Sequence, residues 1–141
     1  FFNNYHCSQA VLAVGQAKLG LADSNLMKVM DVFGGGLGAH GEVCGAVIGG
    51  LASLSLRYGR MNGDERADRK MWACAFRFMK RFREEVGGGS ILCRDFVDVD
   101  WADPKQVRDY QEGDKFLQCV EIVGKAARIM GEVLDSAESK E

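Results

Sequence analysis

The sequence predicts an all-α fold, a helical bundle with antiparallel neighbouring helices, in one domain spanning residues 1–141. Two observations carry this expectation. Proline occurs once, at Pro104, so almost nothing interrupts helical hydrogen bonding. Apolar residues recur every three to four positions instead of alternating, which is the period of a helix. Gly-rich breaks at Gly34–Gly36 and Gly87–Gly89 divide the periodic segments as turns.

The first helix is expected from about His6 to Leu19, entered through Asn3 or Asn4 as a cap and stopped by Gly20. A second follows Asp23 or Ser24 and carries Leu26, Val29, Met30 and Phe33 up to the first glycine run. The third begins near Gly41 and ends at Tyr58 and Gly59. The fourth follows the Asn62-Gly63-Asp64 turn and extends to Val86. Ser90 to Val97 make a short helix, and Asp103-Pro104 set a cap and an N1 proline before another. Asp114 then caps a long last helix with an apolar stripe of Phe116, Val120, Val123, Ala127, Met130 and Leu134.

This topology gathers thiols. Short connections make sequential helices antiparallel, which puts Cys7 and Cys44 in the first turns of the first and third helices at one end of the bundle. Cys93 follows the fourth helix at that same end, and Cys119 lies near the start of the last. Cys74 sits about twelve residues before the end of the fourth helix, roughly 18 Å away at 1.5 Å per residue. Flanked by Met71, Ala75 and Phe78 at helical spacing, it reads as a small buried hydrophobe.

An apolar share of 47%, a charged share of 27% and a net charge of −2 describe an ordinary globular chain with no basic surface for nucleic acid or acidic membranes. The apolar run from Val43 to Leu56 is shorter than the roughly 20 residues of a membrane span and rich in glycine. Five cysteines are too few for a secreted disulfide framework, and an odd number leaves one unpaired. A reducing cytoplasm is the expected compartment, although the chain opens on Phe1 and an upstream signal stays open. No C-x-x-C or C-x-x-C-H occurs, so any cysteine site must be assembled by the fold.

Helix N-termini present unpaired amides and a partial positive charge, which stabilise a thiolate. Cys7, Cys44 and Cys119 are placed for that effect, whereas Cys93 has Arg94 beside it. Each cysteine taken alone is more simply read as a buried apolar residue. The Gly41-Gly45-Gly49 spacing, continued by Ser53, lets another backbone approach closely, and helix packing alone explains it. The loop from Gly34 to Gly41 lacks the Lys-Ser/Thr ending of a phosphate loop and follows a helix, so it reads as a flexible cover or close wall beside Cys44. His6 and His40 could act as bases or metal ligands. Both read first as solvated or capping side chains.

Asn4 to Leu12 with Cys7, the Phe33-Gly34-Gly35-Gly36-Leu37-Gly38 run, and Cys44-Gly45-Ala46-Val47-Ile48-Gly49 resemble the C-GCAxxG-C-C family of redox-active proteins, whose hallmark is a CGAxxG motif. Gly89 to Asp95 and the Cys119 helix resemble its two downstream cysteine segments, and the likeness covers nearly the whole chain. It implies a helical redox-active domain with Cys7, Cys44, Cys93 and Cys119 as signature thiols and Cys74 outside the signature. A related helical domain occurs in split-Soret cytochromes, where cysteines accompany an iron–sulfur site. Their haem-attachment motif is missing here.

Two classes of function compete. In the first, the clustered cysteines carry electrons. As a dithiol, Cys44 attacks a disulfide of a partner protein or small molecule and Cys7 resolves the mixed disulfide; as a metal centre, all four thiolates bind an iron–sulfur cluster. Zinc would use the same ligands without redox chemistry. In the second class the thiols are buried and inert, and the chain is a structural or interaction protein built on Gly45, Gly49 and an aromatic face of Trp72, Phe76 and Phe82. A homodimer is compatible with both.

Overall fold

The computed structural model describes residues 4–139, and among them are seven α-helices and no strand. Their order is α1 (Cys7–Lys18), α2 (Ser24–Met30), a 3₁₀ turn (Asp31–Phe33), α3 (Gly45–Tyr58), α4 (Arg69–Glu85), α5 (Cys93–Phe96), α6 (Pro104–Glu112) and α7 (Asp114–Glu138). The all-α expectation holds. Asp23 accepts from the Asn25 amide at 2.9 Å and caps α2; Asp103 accepts from the Lys105 amide at 3.0 Å ahead of Pro104 and caps α6.

Several ends differ from expectation. His6 is the cap of α1, Asn4 stands outside it at φ 64°, and Asn3 lies outside the described residues. The fourth helix starts at Arg69, because Asp68 supplies the cap by accepting from the Lys70 amide at 2.8 Å. Asp114 is the first residue of α7, and Gly113 is its cap.

The largest correction concerns the third helix. Residues 41–44 are not helical, because their backbone groups are committed elsewhere: Cys44 N–H donates to Ile91 at 2.8 Å, and the Glu42 and Gly41 carbonyls accept from Cys93 and Arg94 at 2.7 and 3.1 Å. Val43 and Leu92 form an isolated antiparallel bridge. Gly41 therefore lies off the helical face that Gly45, Gly49 and Ser53 share.

Paired contacts give the helix directions. From α1 to α3, Cys7 meets Gly45 and Gly15 meets Ser53, so the two run parallel. Lys18 on α1 reaches Asp135 on α7 at 2.8 Å, and Arg57 near the end of α3 reaches Glu138 near the end of α7. Helix α4 runs against them, with Arg77 on Ser136 and Arg81 on Glu132. The starts of α1, α3 and α7 and the end of α4 consequently share one end of the bundle.

Val11, Val47, Leu54, Phe78, Phe82, Ile129, Met130 and Leu134 fill the core where α1, α3, α4 and α7 meet. Each such side chain contributes about 1.5–3 kcal/mol on burial, whereas exposed ion pairs such as Lys125–Glu121 contribute about 0–1 kcal/mol. Apolar packing therefore decides the arrangement. A single aromatic face on α4 does not form: Phe82 is buried, while Trp72 and Phe76 are exposed, because at 3.6 residues per turn they stand roughly 80° and 120° around the helix from Phe82.

A four-thiol cavity at one end of the bundle

Buried polar side chains of α1 fasten α2 beside it. Ser8 Oγ donates to the Met30 carbonyl at 2.7 Å, Gln9 Nε2 to Met27 at 3.0 Å, and Gln16 accepts from the Asp23 amide at 2.6 Å. This clamp delivers the 3₁₀ turn and the glycine run to the start of α1. Residues Gly35, Gly36, Leu37, Gly38 and Ala39 all have φ between 61° and 77°, a left-handed turn. For Leu37 and Ala39 that conformation costs roughly 1–2 kcal/mol each. Hydrogen bonds from Gly38 to Val32, Ala39 to Gly34 and Glu42 to Gly36, at 2.8 to 3.0 Å, hold the turn closed. Of the two expectations for this loop, flexible cover or close wall, the hydrogen bonds favour the wall.

Glycine at position 45 has a specific cause. A Cβ there would overlap the Cys7 sulfur and come within 3.0 Å of Ser8 N and the Phe33 carbonyl. Its absence lets Cys7, the first residue of α1, rest on the start of α3. The Cys7 sulfur lies against the Cys44 thiol and the amides of Gly35, Ser8 and Gly45, all of which favour its thiolate.

The same bridge positions Cys44 and Cys93. Side chains alternate along extended backbone, so these two residues, each one step from the Val43–Leu92 pair, lie on the same face. Cys119, in the second turn of α7, completes the set, and all four thiols line one cavity of about 1230 Å³. Cys74 does not line it; it is 2% exposed and packed in the core cluster. His6 borders the cavity, with Nε2 3.4 Å from Asp31, and His40 is exposed with Nδ1 2.7 Å from the Gly38 carbonyl.

The thiols are electrostatically unequal. Hydrogen bonding from Cys44, reinforced by the three amides, outweighs burial and brings Cys7 down from 9.0 to about 7. Cys44 is pushed well up, first because its proton is held in the bond to Cys7, then by burial and by the Cys7 charge. Cys44 was the expected attacking thiol; the lowered value falls on Cys7 instead. Burial pushes Cys93 up to about 12, with the charges of Cys7 and Cys119 adding to it. Burial also raises Cys119, against a hydrogen bond from Tyr110, and Cys74.

Sequence reasoning missed Trp101 and Tyr110. The Trp101 indole faces Cys93, the Tyr110 hydroxyl meets Cys119, and the two rings pack edge-on with centroids 4.9 Å apart. Both come from the irregular stretch and short helix after Cys93, where no long apolar period marks which side chains turn inward.

Among the described residues, no three Cys, His, Asp or Glu side chains converge closely enough to hold a metal ion. No described helix is long and apolar enough to cross a membrane. No curated protein and no solved structure matches the chain. A family model described as "Putative redox-active protein (C_GCAxxG_C_C)" matches residues 5–133, which takes in all four cavity cysteines and the Cys44–Gly49 motif, and the chain belongs to that family.

Proposed function

We propose that the protein is a dithiol/disulfide redox module in which Cys7 is the attacking thiolate and Cys44 the resolving thiol. The observation that carries this reading is the Cys7–Cys44 contact itself: adjacent thiols whose acidities are driven apart, one toward a thiolate near pH 7 and one toward a retained proton. Such a split separates nucleophile from proton holder. These roles reverse those expected from the sequence, first because the Cys44 thiol holds its proton toward Cys7 and then because of the amide count. Cys7 receives three backbone amides and Cys44 one, from Ala46.

In the exchange, the Cys7 thiolate bonds to one sulfur of a disulfide on a partner protein or small molecule, whose S–S bond breaks and releases a thiolate. Cys44 then gives up its proton and attacks the Cys7 sulfur. The second partner sulfur leaves, so a Cys7–Cys44 disulfide forms as the partner is reduced by two electrons. The Gly35, Ser8 and Gly45 amides favour the resting thiolate before the exchange begins.

A second reading is an iron–sulfur centre, favoured by the four thiols sharing one cavity. Cys7, Cys44, Cys93 and Cys119 would hold it, and it would supply one-electron chemistry. A four-thiolate zinc centre fits poorly, because it needs the ligands to converge on a single ion.

Anaerobic purification followed by metal, sulfide and thiol analysis separates the readings. Metal-free protein that forms a Cys7–Cys44 disulfide in a dithiothreitol redox buffer, with its helical circular dichroism kept, supports the dithiol. Iron and sulfide at a fixed ratio, lost on Cys93→Ser or Cys119→Ser, would overturn it for the cluster. Thiols that stay inert until unfolding would overturn both.

A further inference from the structure

The cavity is larger than exchange between two sulfurs requires. Its volume of about 1230 Å³ reaches the size of pockets that enclose small organic molecules. Beyond the thiols, the lining includes Phe96, Val97, Trp101, Tyr110, Phe116 and Val123. Trp101, Tyr110 and Phe116 pack edge-on in succession, at 4.9 and 5.9 Å, and so form an aromatic wall suited to a flat ring. The charged lining residues Lys28 and Asp31 are exposed, and Val29 and Val32 beside them are 63% and 65% exposed, so the mouth also carries apolar surface.

One polar group in this wall lacks a counterpart. The Trp101 Nε1–H is buried and has no hydrogen-bond acceptor among the described residues; it faces the Cys93 sulfur, and a thiol accepts only weakly. A buried donor without an acceptor is costly. An oxygen atom placed in the cavity would remove that cost.

We infer that the cavity takes a flat, uncharged, carbonyl-bearing ring of the quinone class, with one carbonyl oxygen accepting from Trp101 Nε1–H, and that this molecule is the electron acceptor of the Cys7–Cys44 dithiol. The inference rests on the dithiol reading. The quinone takes the place of the partner disulfide as oxidant in the same dithiol cycle, and its oxygen is a stronger acceptor for the indole than sulfur. The step balances: an S–S bond forms between Cys7 and Cys44, the two electrons released pass to the quinone, and two protons, one from the Cys44 thiol and one from water, complete the hydroquinone.

Duroquinone is a suitable probe, since its four methyl groups leave no ring position open to thiol addition. Reduced, metal-free protein should convert one equivalent to hydroquinone while two thiols become the Cys7–Cys44 disulfide by peptide mass spectrometry. Oxidised protein should bind duroquinone in equilibrium dialysis. Trp101→Phe should weaken that binding about tenfold, and Val123→Trp, which narrows the cavity from α7, should weaken it without altering the indole; circular dichroism checks that each variant folds. Binding unchanged in both folded variants overturns the assigned site. A parent protein that titrates against dithiothreitol yet neither binds nor reduces duroquinone overturns the quinone inference alone. If no disulfide forms with either reagent, the dithiol reading falls and the electron-transfer step with it.

Discussion

Cys7 should be the first cysteine of the reduced protein to react with iodoacetamide near neutral pH, and the margin can be worked out against Cys93. With Cys7 at about 7 and Cys93 at about 12, roughly half of Cys7 and about one part in 10⁵ of Cys93 is thiolate at pH 7. That ratio is about 5 × 10⁴. The more basic thiolate is intrinsically more nucleophilic, and a Brønsted slope of about 0.4–0.5 over the difference returns roughly 100- to 300-fold to Cys93. A net preference of about 150- to 500-fold for Cys7 remains. Access works in the same direction, since Cys7 is half-buried while Cys44 and Cys93 are each 8% exposed. Quenched alkylation followed by peptide mass spectrometry gives each rate as a function of pH. The Cys7 rate should level off not far above pH 7. Faster labelling of Cys44 or Cys93, or a Cys7 rate that climbs through pH 9 like that of a free thiol, would refute the assignment.

Other consequences are equally direct. Cys44→Ala should stop turnover and trap a mixed disulfide on Cys7, detectable by intact mass, whereas Cys74→Ala should leave the dithiothreitol equilibrium unchanged at a packing cost of about 1 kcal/mol in urea unfolding. Gly45→Ala should displace the Cys7 sulfur, lower stability by about 1–3 kcal/mol and abolish the fast alkylation, read by the same two assays. Because the folded state lowers Cys7 from 9.0 to about 7, its contribution to stability is present above pH 9 and lost as pH falls toward 7. The reduced protein's urea midpoint should therefore rise between pH 7 and 9, and Cys7→Ser should remove that rise. Above pH 9 the raised thiols, Cys93 among them, reverse the trend, since the unfolded chain sheds those protons first.

The bundle was legible because its information is local. Apolar residues at helical spacing and the Asp23 and Asp103 caps mark α2, α6 and the core faces with little reference to the rest of the chain. Alternating helix direction brings Cys7, Cys44 and Cys93 to one end and leaves Cys74 behind, and Cys119 joins them because α7 runs parallel to α1 and α3. The Val43–Leu92 bridge was not legible, since a single pair carries no period and its partners lie 49 residues apart. Nor was the left-handed turn: a glycine-rich run permits such a backbone but does not demand it. Trp101 and Tyr110 escaped for a related reason, as their inward direction depends on how α6 docks against α7.

The pair Cys7 and Cys44 shows what a helix terminus can and cannot decide. Both thiols stand at helix starts, so the macrodipole argument favours both and ranks neither. Ranking depends on amides from separate segments: Ser8 in α1, Gly45 in α3 and Gly35 in the left-handed turn all reach Cys7. Two of these require glycine for backbone reasons, a positive φ at Gly35 and the absence of a Cβ at Gly45. Once Cys7 holds the charge, the adjacent Cys44 cannot readily do so, because a second thiolate would face the first in a buried site. The glycine run and the CGAxxG glycine thus act on the same sulfur. A change in either should alter Cys7 acidity before it alters the helical core.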